Sequence, residues 1–245
     1  MTDLFDIVYE DAELLVINKP AGLVCHPTKT DARSSLVGRA RLYLGDSQQP
    51  HLINRLDRET SGIVVIAKDS VTAGALGKIW ESRAVLKEYL ALVHGTLVAD
   101  QGTIEAPLGK DLQSRVAIKD CVREDGAPAR TEFWTERRFV NRSTTGATAN
   151  FSLLRLRPHT GRKHQLRIHL AHLGHPIVGD KIYGGDEDLY LALVEDRLTD
   201  EQRARLLLPF QALHAGRLQF TLRGQDLDFT APPEPWFVGF ADATL

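Results

Sequence analysis

The stretch Asn54–Gly62 (NRLDRETSG) places one carboxylate, that of Asp57, between the guanidinium groups of Arg55 and Arg58. Neighbouring cations favour the ionised carboxylate, so Asp57 suits the role of a nucleophile or charge stabiliser better than that of a general base. The alternative is an ordinary surface ion pair. The stretch leads directly into the apolar run Ile63–Ala67, whose composition predicts a buried strand, and this position favours a functional role.

Tyr89 is a second candidate, within the tripeptide Lys87-Glu88-Tyr89. On a strand, Lys87 and Tyr89 point to one face and Glu88 to the other. A tyrosine on a strand that faces a site can stack on a base or relay a proton. The alternative is a half-buried core aromatic, because strands are rich in tyrosine. The residue types leave both interpretations open.

A basic segment is the third candidate. From Arg137 to Gly179 there are 43 residues without an Asp or Glu, and they include eight Lys or Arg and five of the nine His. The rest of the chain carries ten more acidic than basic residues. Such a segment suits phosphate groups, although a solvated surface is the alternative. The apolar alternation inside it favours anion binding.

Within the basic segment, a turn opens a predicted helix whose first residues are basic and rich in side-chain nitrogen. Free backbone N–H groups at that helix start would act with Arg162 and Lys163 as an anion site. Arg167, further along the same helix, is a candidate partner for an Asp in a cleft.

Metal binding is not predicted. His169, His172 and His175 are three residues apart, but no Asp, Glu or Cys lies nearby to help hold a cation. The two cysteines, Cys25 and Cys121, form no CxxC pair, which fits a reducing cytoplasm and gives no zinc-finger pattern. Walker A, GxGxxG, HExxH and GxSxG motifs are absent from the sequence.

The composition is that of a globular protein, with 43% hydrophobic and 25% charged residues. No apolar run approaches the roughly 18–20 residues that span a bilayer, so we predict no transmembrane helix. The acidic start lacks a basic region followed by an apolar stretch. We therefore expect no secretory signal and a cytoplasmic location.

Hydrophobic periodicity predicts the scaffold that must position these candidates. Strands are predicted over 7–10, 13–18, 63–67, 85–94, 130–140, 148–157 and 212–222. One helix is predicted over 70–83, with Asp69 or Ser70 as N-cap and an apolar side of Val71, Leu76, Ile79 and Trp80. A second is predicted over 163–173, with the stripe Leu166, Leu170 and Leu173.

Strands outnumber helices and do not alternate with them regularly, so the predicted fold class is α+β with a largely antiparallel sheet. No linker divides the chain, and we predict a single domain over 1–245. Residues 102–125 are polar and are predicted to be an irregular, mobile insertion. Residues 186–205 are acidic and predicted to be helical.

Together these motifs resemble the RluA-type family of RNA pseudouridine synthases. Asn54–Gly62 resembles its HRLDxxTSG motif, and Lys87–Gly95 its KxYxAxVxG strand. Its third motif is matched by Arg162–His169, Gly174–Asp180 and Tyr183-Gly184, and two further segments fit as well, Asn18–Gly22 and Leu213–Ala215. The resemblance spans about residues 5–222, and five motifs in the same order make it specific.

Asn54 is a departure, because the family usually has a His at this position. The KPAG-like segment begins at Lys19, which leaves no room for the small RNA-binding module that larger members carry ahead of the catalytic domain. RNA docking is therefore expected to depend on the catalytic domain, chiefly on the basic segment.

The resemblance implies the pseudouridine synthase catalytic fold and an isomerase that detaches uracil from its ribose, rotates it and reattaches it through carbon, with no cofactor or metal. It implies that Asp57 is the nucleophile, or the base in a glycal version of the mechanism, and that Arg167 pairs with Asp57. Tyr89 would stack on the flipped uracil and take part in proton removal at C5. Arg55 would enter the RNA stack in place of the extruded base.

The partner implied by the resemblance is structured RNA, either tRNA or rRNA, with Arg162, Lys163 and His164 holding phosphates. No membrane partner is implied, and the sequence names no protein partner. Target choice is expected to reside in loops, and residues 102–125 and 186–205 are the candidates. The alternative is a catalytically silent RNA-binding module on the same fold. A metal-dependent nuclease that uses the histidines is a weaker alternative.

Overall fold

The computed structural model describes residues 4–26, 32–45, 48–142 and 148–242. The described chain forms two compact units, Met1–Glu88 with His214–Glu234, and Tyr89–Leu213 with Pro235–Leu245. Two of the three divisions fall inside strands, after Glu88 and after Leu213, and the third falls between Glu234 and Pro235, where a helix begins. A search for linkers in the sequence therefore finds no boundary, and the single domain stays a prediction.

The first unit is a sheet covered by helices. Its strands are β1 (Asp6–Glu10), β2 (Leu14–Lys19), β3 (His51–Leu52), β4 (Ser61–Ala67), most of β11 (Leu213–Leu222) and β12 (Gln225–Thr230). Strands β1, β2 and β4 are antiparallel neighbours, β3 pairs with the end of β4, and β12 pairs with β11. The β4–β11 pair is parallel. The helices of this unit are α1 (Leu36–Leu44) and α2 (Ser70–Glu81).

Strand β4 forms the centre of this unit, since every one of its residues is buried. Ile63 and Val65 pack with Leu14, Leu76 and Phe220 in one hydrophobic cluster. The predictions of a strand pair at the start, of a buried strand at 63–67 and of the helix after it are confirmed.

The N-cap of α2 is Asp69, whose carboxylate accepts the backbone N–H of Thr72. The expectation that Val71 belongs to the apolar side is wrong, because its side chain is 73% exposed. The buried stripe instead contains Thr72 and Leu76, which lie four residues apart on one helix face. Val71 precedes that stripe by one residue, a rotation of about 100°.

In the second unit, four strands pair antiparallel in the order β5–β10–β9–β6. These strands are β5 (Val85–His94), β6 (Gln101–Glu105), β9 (Arg130–Arg142) and β10 (Thr148–Pro158), and a small hairpin joins β7 (Leu108–Lys110) to β8 (Asp120–Val122). The helices are α3 (Gln165–His172), α4 (Glu187–Val194), α5 (Asp200–Leu206) and α6 (Pro235–Asp242). Leu166 and Leu170 of α3 pack with Phe151 in the core, as the stripe predicted. Leu173 lies just after the helix and is exposed.

The prediction that residues 102–125 are irregular is wrong where they form strands, whereas residues 111–119 do form a loop. Residues 102–125 contain β7, β8 and most of β6, which pairs with β9 from Gln101 opposite Trp134 to Glu105 opposite Arg130. An edge strand needs only one buried face, so its sequence is polar without being a loop. The α+β class with mostly antiparallel pairing is confirmed. Within the described ranges, no helix is long and apolar enough to cross a membrane.

Candidate active site

Asp57 lies in the loop between β3 and β4 and is half-buried, whereas its neighbours Arg55 and Arg58 are exposed. The loop closes with a turn in which the backbone N–H of Thr60 donates to the carbonyl of Asp57 at 3.2 Å. The chain then enters β4 at Ser61, so the position of Asp57 depends on the most buried strand of the first unit.

The KPAG-like segment also holds this loop, through hydrogen bonds between Gly22 and Arg58. The carbonyl of Arg58 accepts the backbone N–H of Gly22 at 2.8 Å, and the Arg58 guanidinium donates back to the Gly22 carbonyl at 3.1 Å. Cys25 contacts the loop one residue before Asp57. Its Sγ lies 3.5 Å from the backbone nitrogen of Leu56 and 3.4 Å from the Leu56 carbonyl oxygen. Hydrogen bonds therefore join the Asp57 loop to residues 22–25, although the bonded residues are 31 to 36 positions apart in sequence.

Lys19 is the residue that sequence reasoning missed, because it was named only as the start of the KPAG-like segment and given no role. Its side chain is fully buried, and Nζ donates to the carbonyls of Pro20, Leu23 and Arg58 at 2.9, 2.8 and 3.1 Å. Burial lowers the pKa of Lys19 to about 8, while the negative charge of Asp57 is among the influences that oppose this shift. The ammonium group of Lys19 and the carboxylate of Asp57 therefore attract each other.

The start of β4 is anchored to β11. Ser61 Oγ lies 2.9 Å from Nδ1 of His214, whose Nε2 lies 2.9 Å from the carbonyl oxygen of Ala231. A carbonyl only accepts, so Nε2 carries the proton and Nδ1 accepts from Ser61. Burial lowers the pKa of His214, which keeps the ring neutral in this arrangement.

Tyr89 is the first residue of the second unit, on strand β5. It is half-buried, pairs in register with Leu156 of β10 and packs against the hydrophobic core. Lys87, two residues earlier, lies with Nζ 5.9 Å from the centre of the Trp80 ring. Burial lowers the pKa of Lys87. The confirmed strand puts Lys87 and Tyr89 on one face, and the role of Tyr89 toward a base stays a prediction.

Arg167 is buried on α3 and forms a bidentate ion pair with Asp180. Nε and Nη2 lie 2.7 and 2.9 Å from the two carboxylate oxygens. The backbone N–H groups of Ile182 and Tyr183 also donate to Asp180, at 2.8 and 3.0 Å. Burial by itself would raise the pKa of Asp180, but the Arg167 charge and these hydrogen bonds outweigh burial and lower it. Sequence reasoning did not single out Asp180, although it is the first acid after the acid-free segment. The pairing of Arg167 with Asp57 stays a prediction.

The three predicted phosphate-binding residues lie directly before α3. Arg162 and Lys163 are exposed, and His164 is half-buried. Lys163 lies 2.9 Å from a carboxylate oxygen of Asp120, and Nδ1 of His164 lies 2.9 Å from the hydroxyl of Tyr183. The exposed cations are accessible to an anion, and their binding to phosphate stays a prediction.

His169, on α3, and His175, which follows the helix, form hydrogen bonds within the fold. Nδ1 of His169 lies 2.9 Å from Oγ1 of Thr131, and its Nε2 lies 3.0 Å from the carbonyl oxygen of Ala106. His175 bonds through Nδ1 to the carbonyl of His94 at 2.8 Å. In the described part of the chain, no three His, Cys, Asp or Glu side chains are grouped so as to hold a metal ion.

The two segments predicted to govern target choice contact each other. In the loop between β7 and β8, Ser114 Oγ donates to Glu187 at 2.7 Å and Lys119 Nζ lies 2.6 Å from the same carboxylate. Arg115 pairs with Asp188 at 2.6 Å. Both acids belong to the first turn of α4, so residues 111–119 and the start of α4 form one structural element.

The RNA pseudouridylate synthase family model matches residues 13–172, which include the Asp57 loop, strand β5 and helix α3. The chain belongs to this family, and the predicted enzyme class, an isomerase of the pseudouridine synthase type, is confirmed at the level of the family.

Named relatives agree with this assignment. tRNA pseudouridine synthase C of Haemophilus ducreyi is 39% identical over 88% of the chain and 85% of its own length. Ribosomal large subunit pseudouridine synthase D of Xanthomonas campestris is 39% identical over 93% of the chain and 65% of its own length. An uncharacterized RNA pseudouridine synthase of Aquifex aeolicus is 37% identical over 73% of the chain, and the matched chain spans only 56% of that relative.

A solved structure shows the same fold. Human RNA Pseudouridylate Synthase Domain Containing 1 superposes with a TM-score of 0.72 and 26% sequence identity, covering 94% of this chain and 83% of that one. The predicted pseudouridine synthase fold is therefore confirmed.

Proposed function

We propose that this protein converts specific uridines of structured tRNA or rRNA to pseudouridine, with Asp57 as the nucleophile. The main support for this proposal is the position of Asp57, in a fixed loop of a chain that belongs to this family. Asp57 is half-buried in a loop that hydrogen bonds join to Lys19 and Gly22, and the buried ammonium group of Lys19 attracts its carboxylate.

In the proposed reaction the bond between N1 of uracil and C1′ of the ribose breaks and a bond between C5 and C1′ forms. The proton on C5 is lost and N1 gains one, so the product is an isomer of the substrate. Asp57 holds the ribose as a nucleophile, or acts as the base in the glycal version. Tyr89 stacks on the uracil and takes part in proton removal at C5. Arg167 is the cation that pairs with Asp57.

A uridine inside folded RNA must leave its stack before this chemistry, which costs a few kcal/mol. Arg55 is exposed next to Asp57 and takes the place of the extruded base. Arg162, Lys163 and His164 hold the flanking phosphates, and the exposure of the first two supports this role.

The names of the relatives support tRNA and rRNA alike as substrate classes. One is a tRNA pseudouridine synthase, one a ribosomal large subunit pseudouridine synthase, and a third, from Vibrio parahaemolyticus, is called a dual-specificity RNA pseudouridine synthase. The element formed by residues 111–119 and the start of α4 is our candidate for reading the shape of the target. The proposed site of action is the cytoplasm.

The test uses Asp57→Asn, which keeps the size of the side chain and removes its charge and nucleophilicity. Unmodified tRNA and rRNA transcripts are incubated with the protein, and pseudouridine is detected by carbodiimide adducts and by release of tritium from C5. We expect turnover by the wild type, none by Asp57→Asn, and near-normal RNA affinity for both.

Asp228→Asn is the matched control, since Asp228 forms an exposed ion pair with Arg217 in the same unit. It should keep wild-type turnover. Full activity of Asp57→Asn would show that the nucleophile is assigned wrongly. A wild-type protein that binds RNA in a salt-dependent way and modifies none would favour the silent RNA-binding module.

A further inference from the structure

The side chain of Asn54 forms hydrogen bonds with β4 like those that the backbone of a neighbouring strand would form. Its Nδ2 donates to the carbonyl of Ile63 at 3.0 Å, and its Oδ1 accepts the backbone N–H of Val65 at 2.8 Å. The residue before it, Ile53, donates its own backbone N–H to the carbonyl of Val65 at 2.9 Å. These contacts follow directly after the β3–β4 pairing of His51 with Ala67 and Leu52 with Ile66.

A carboxamide offers the same donor and acceptor as a peptide group. The Asn54 side chain therefore continues the ladder along β4 for one step after the backbone has turned away into the loop. Ile63 and Val65 are buried, so these backbone groups would be left without a partner in the interior if the amide were removed.

We propose that Asn54 is a positioning residue for Asp57, an inference that rests on the proposed function. The loop from Asn54 to Ser61 is attached to β4 at both ends, by the Asn54 amide at one and by the chain itself at the other. Asp57 lies three residues after Asn54, on the arm that the amide joins to that strand. Asn54 is also the position at which the chain departs from the RluA-type motif.

Loss of the amide removes the attachment of that arm to β4 beyond Ile53, while the contacts of the loop with Gly22 and Cys25 remain. A displacement of about 1 Å at a reacting group can cost on the order of 100-fold in rate. Asn54→Ala removes both hydrogen bonds. Asn54→Asp keeps the shape and the acceptor for Val65 but turns the donor into an oxygen that faces the Ile63 carbonyl. We expect both variants to lower kcat about 10- to 100-fold and to leave KM for RNA within about twofold.

Asn141→Ala is the matched control. Asn141 is buried, whereas Asn54 is half-buried, and its amide likewise donates to a backbone carbonyl, that of Phe240 at 2.9 Å, but it lies outside the Asp57 loop. It should lose stability to a similar extent and keep its kcat. A loss of kcat in Asn141→Ala equal to that in Asn54→Ala would show that turnover follows stability, and the inference would be wrong.

Hydrogen–deuterium exchange gives a readout that does not depend on activity. In the wild type the N–H groups of Leu56 and Thr60 are bonded to Cys25 and to Asp57, so the peptide over 54–61 should be protected. Asn54→Ala should exchange at least tenfold faster there, while Asn141→Ala should not. Unchanged protection in a folded Asn54→Ala would overturn the inference. A wild type that forms no pseudouridine would instead refute the proposed function and leave the exchange experiment to decide on Asn54.

Discussion

The buried pair of Arg167 and Asp180 has an exposed counterpart with the same bidentate geometry. In that counterpart, Nε and Nη2 of Arg217 lie 2.9 and 2.6 Å from the carboxylate oxygens of Asp228. The side chains of Arg167 and Asp180 are 6% and 0% exposed, whereas those of Arg217 and Asp228 are 40% and 42% exposed. The substitutions Asp180→Asn and Asp228→Asn therefore remove the same interaction from two different environments.

Asp180→Asn removes the carboxylate with which the buried Arg167 guanidinium forms its bidentate ion pair. Breaking a buried ion pair by neutralising one partner costs about 3–5 kcal/mol, because the charge that remains has been removed from water and loses that counter-charge. The asparagine oxygen can still accept the N–H groups of Ile182 and Tyr183, and the Tyr183 ring lies 5.0 Å from the Arg167 guanidinium. We therefore expect a loss of about 3 kcal/mol in the free energy of unfolding, at the lower end of the range.

Urea unfolding followed by circular dichroism measures this loss. For an m-value of about 3 kcal/mol/M, a loss of 3 kcal/mol lowers the urea midpoint by about 1 M. The midpoint of Asp228→Asn should stay at the wild-type value, because solvent screens that pair. If Asp180→Asn and Asp228→Asn shift the midpoint equally, burial does not govern the strength of these pairs and the reasoning is refuted.

Two further predictions concern stability. The pKa of Lys19 is about 8 in the folded protein against 10.5 as its ordinary value, so the unfolded chain binds the proton more tightly and stability rises with pH between these values. The free energy of unfolding of the wild type, measured relative to Lys19→Met, should increase by up to about 3 kcal/mol from pH 8 to 10.5, and a flat difference would contradict the assignment. Gly62→Ala should cost several kcal/mol, because φ is +114° and the new Cβ would lie 2.3 Å from the carbonyl oxygen of Ala215. Gly224→Ala, at φ +82° with open space around it, should cost only about 1 kcal/mol in thermal unfolding, and equal losses at both glycines would contradict the role of the close approach.

Local patterns in the sequence were enough to locate most of the elements. The uninterrupted apolar run before Lys68 predicts the buried strand β4, and Asp69 caps the following helix as predicted, since both depend on neighbours in the chain. The Asp57 loop was located because a motif is read from consecutive residues. The errors fall where tertiary context decides: Val71 is apolar but exposed, and β6 is polar but paired.

The residues that contact the candidate site from distant parts of the chain could not be predicted from the sequence. The sequence contains the amide of Asn54, the ammonium of Lys19 and the carboxylate of Asp180, but it does not show their partners. In the structure Asn54 bonds to Ile63 and Val65, Lys19 bonds to Arg58, and Asp180 pairs with Arg167. Hydrophobic periodicity indicates which face of a helix or strand is apolar, but it does not indicate which polar groups, distant in sequence, will become hydrogen-bond or ion-pair partners in the interior. That pairing is decided when the core closes, because a buried donor, acceptor or charge must then find a partner within the fold or make it unstable.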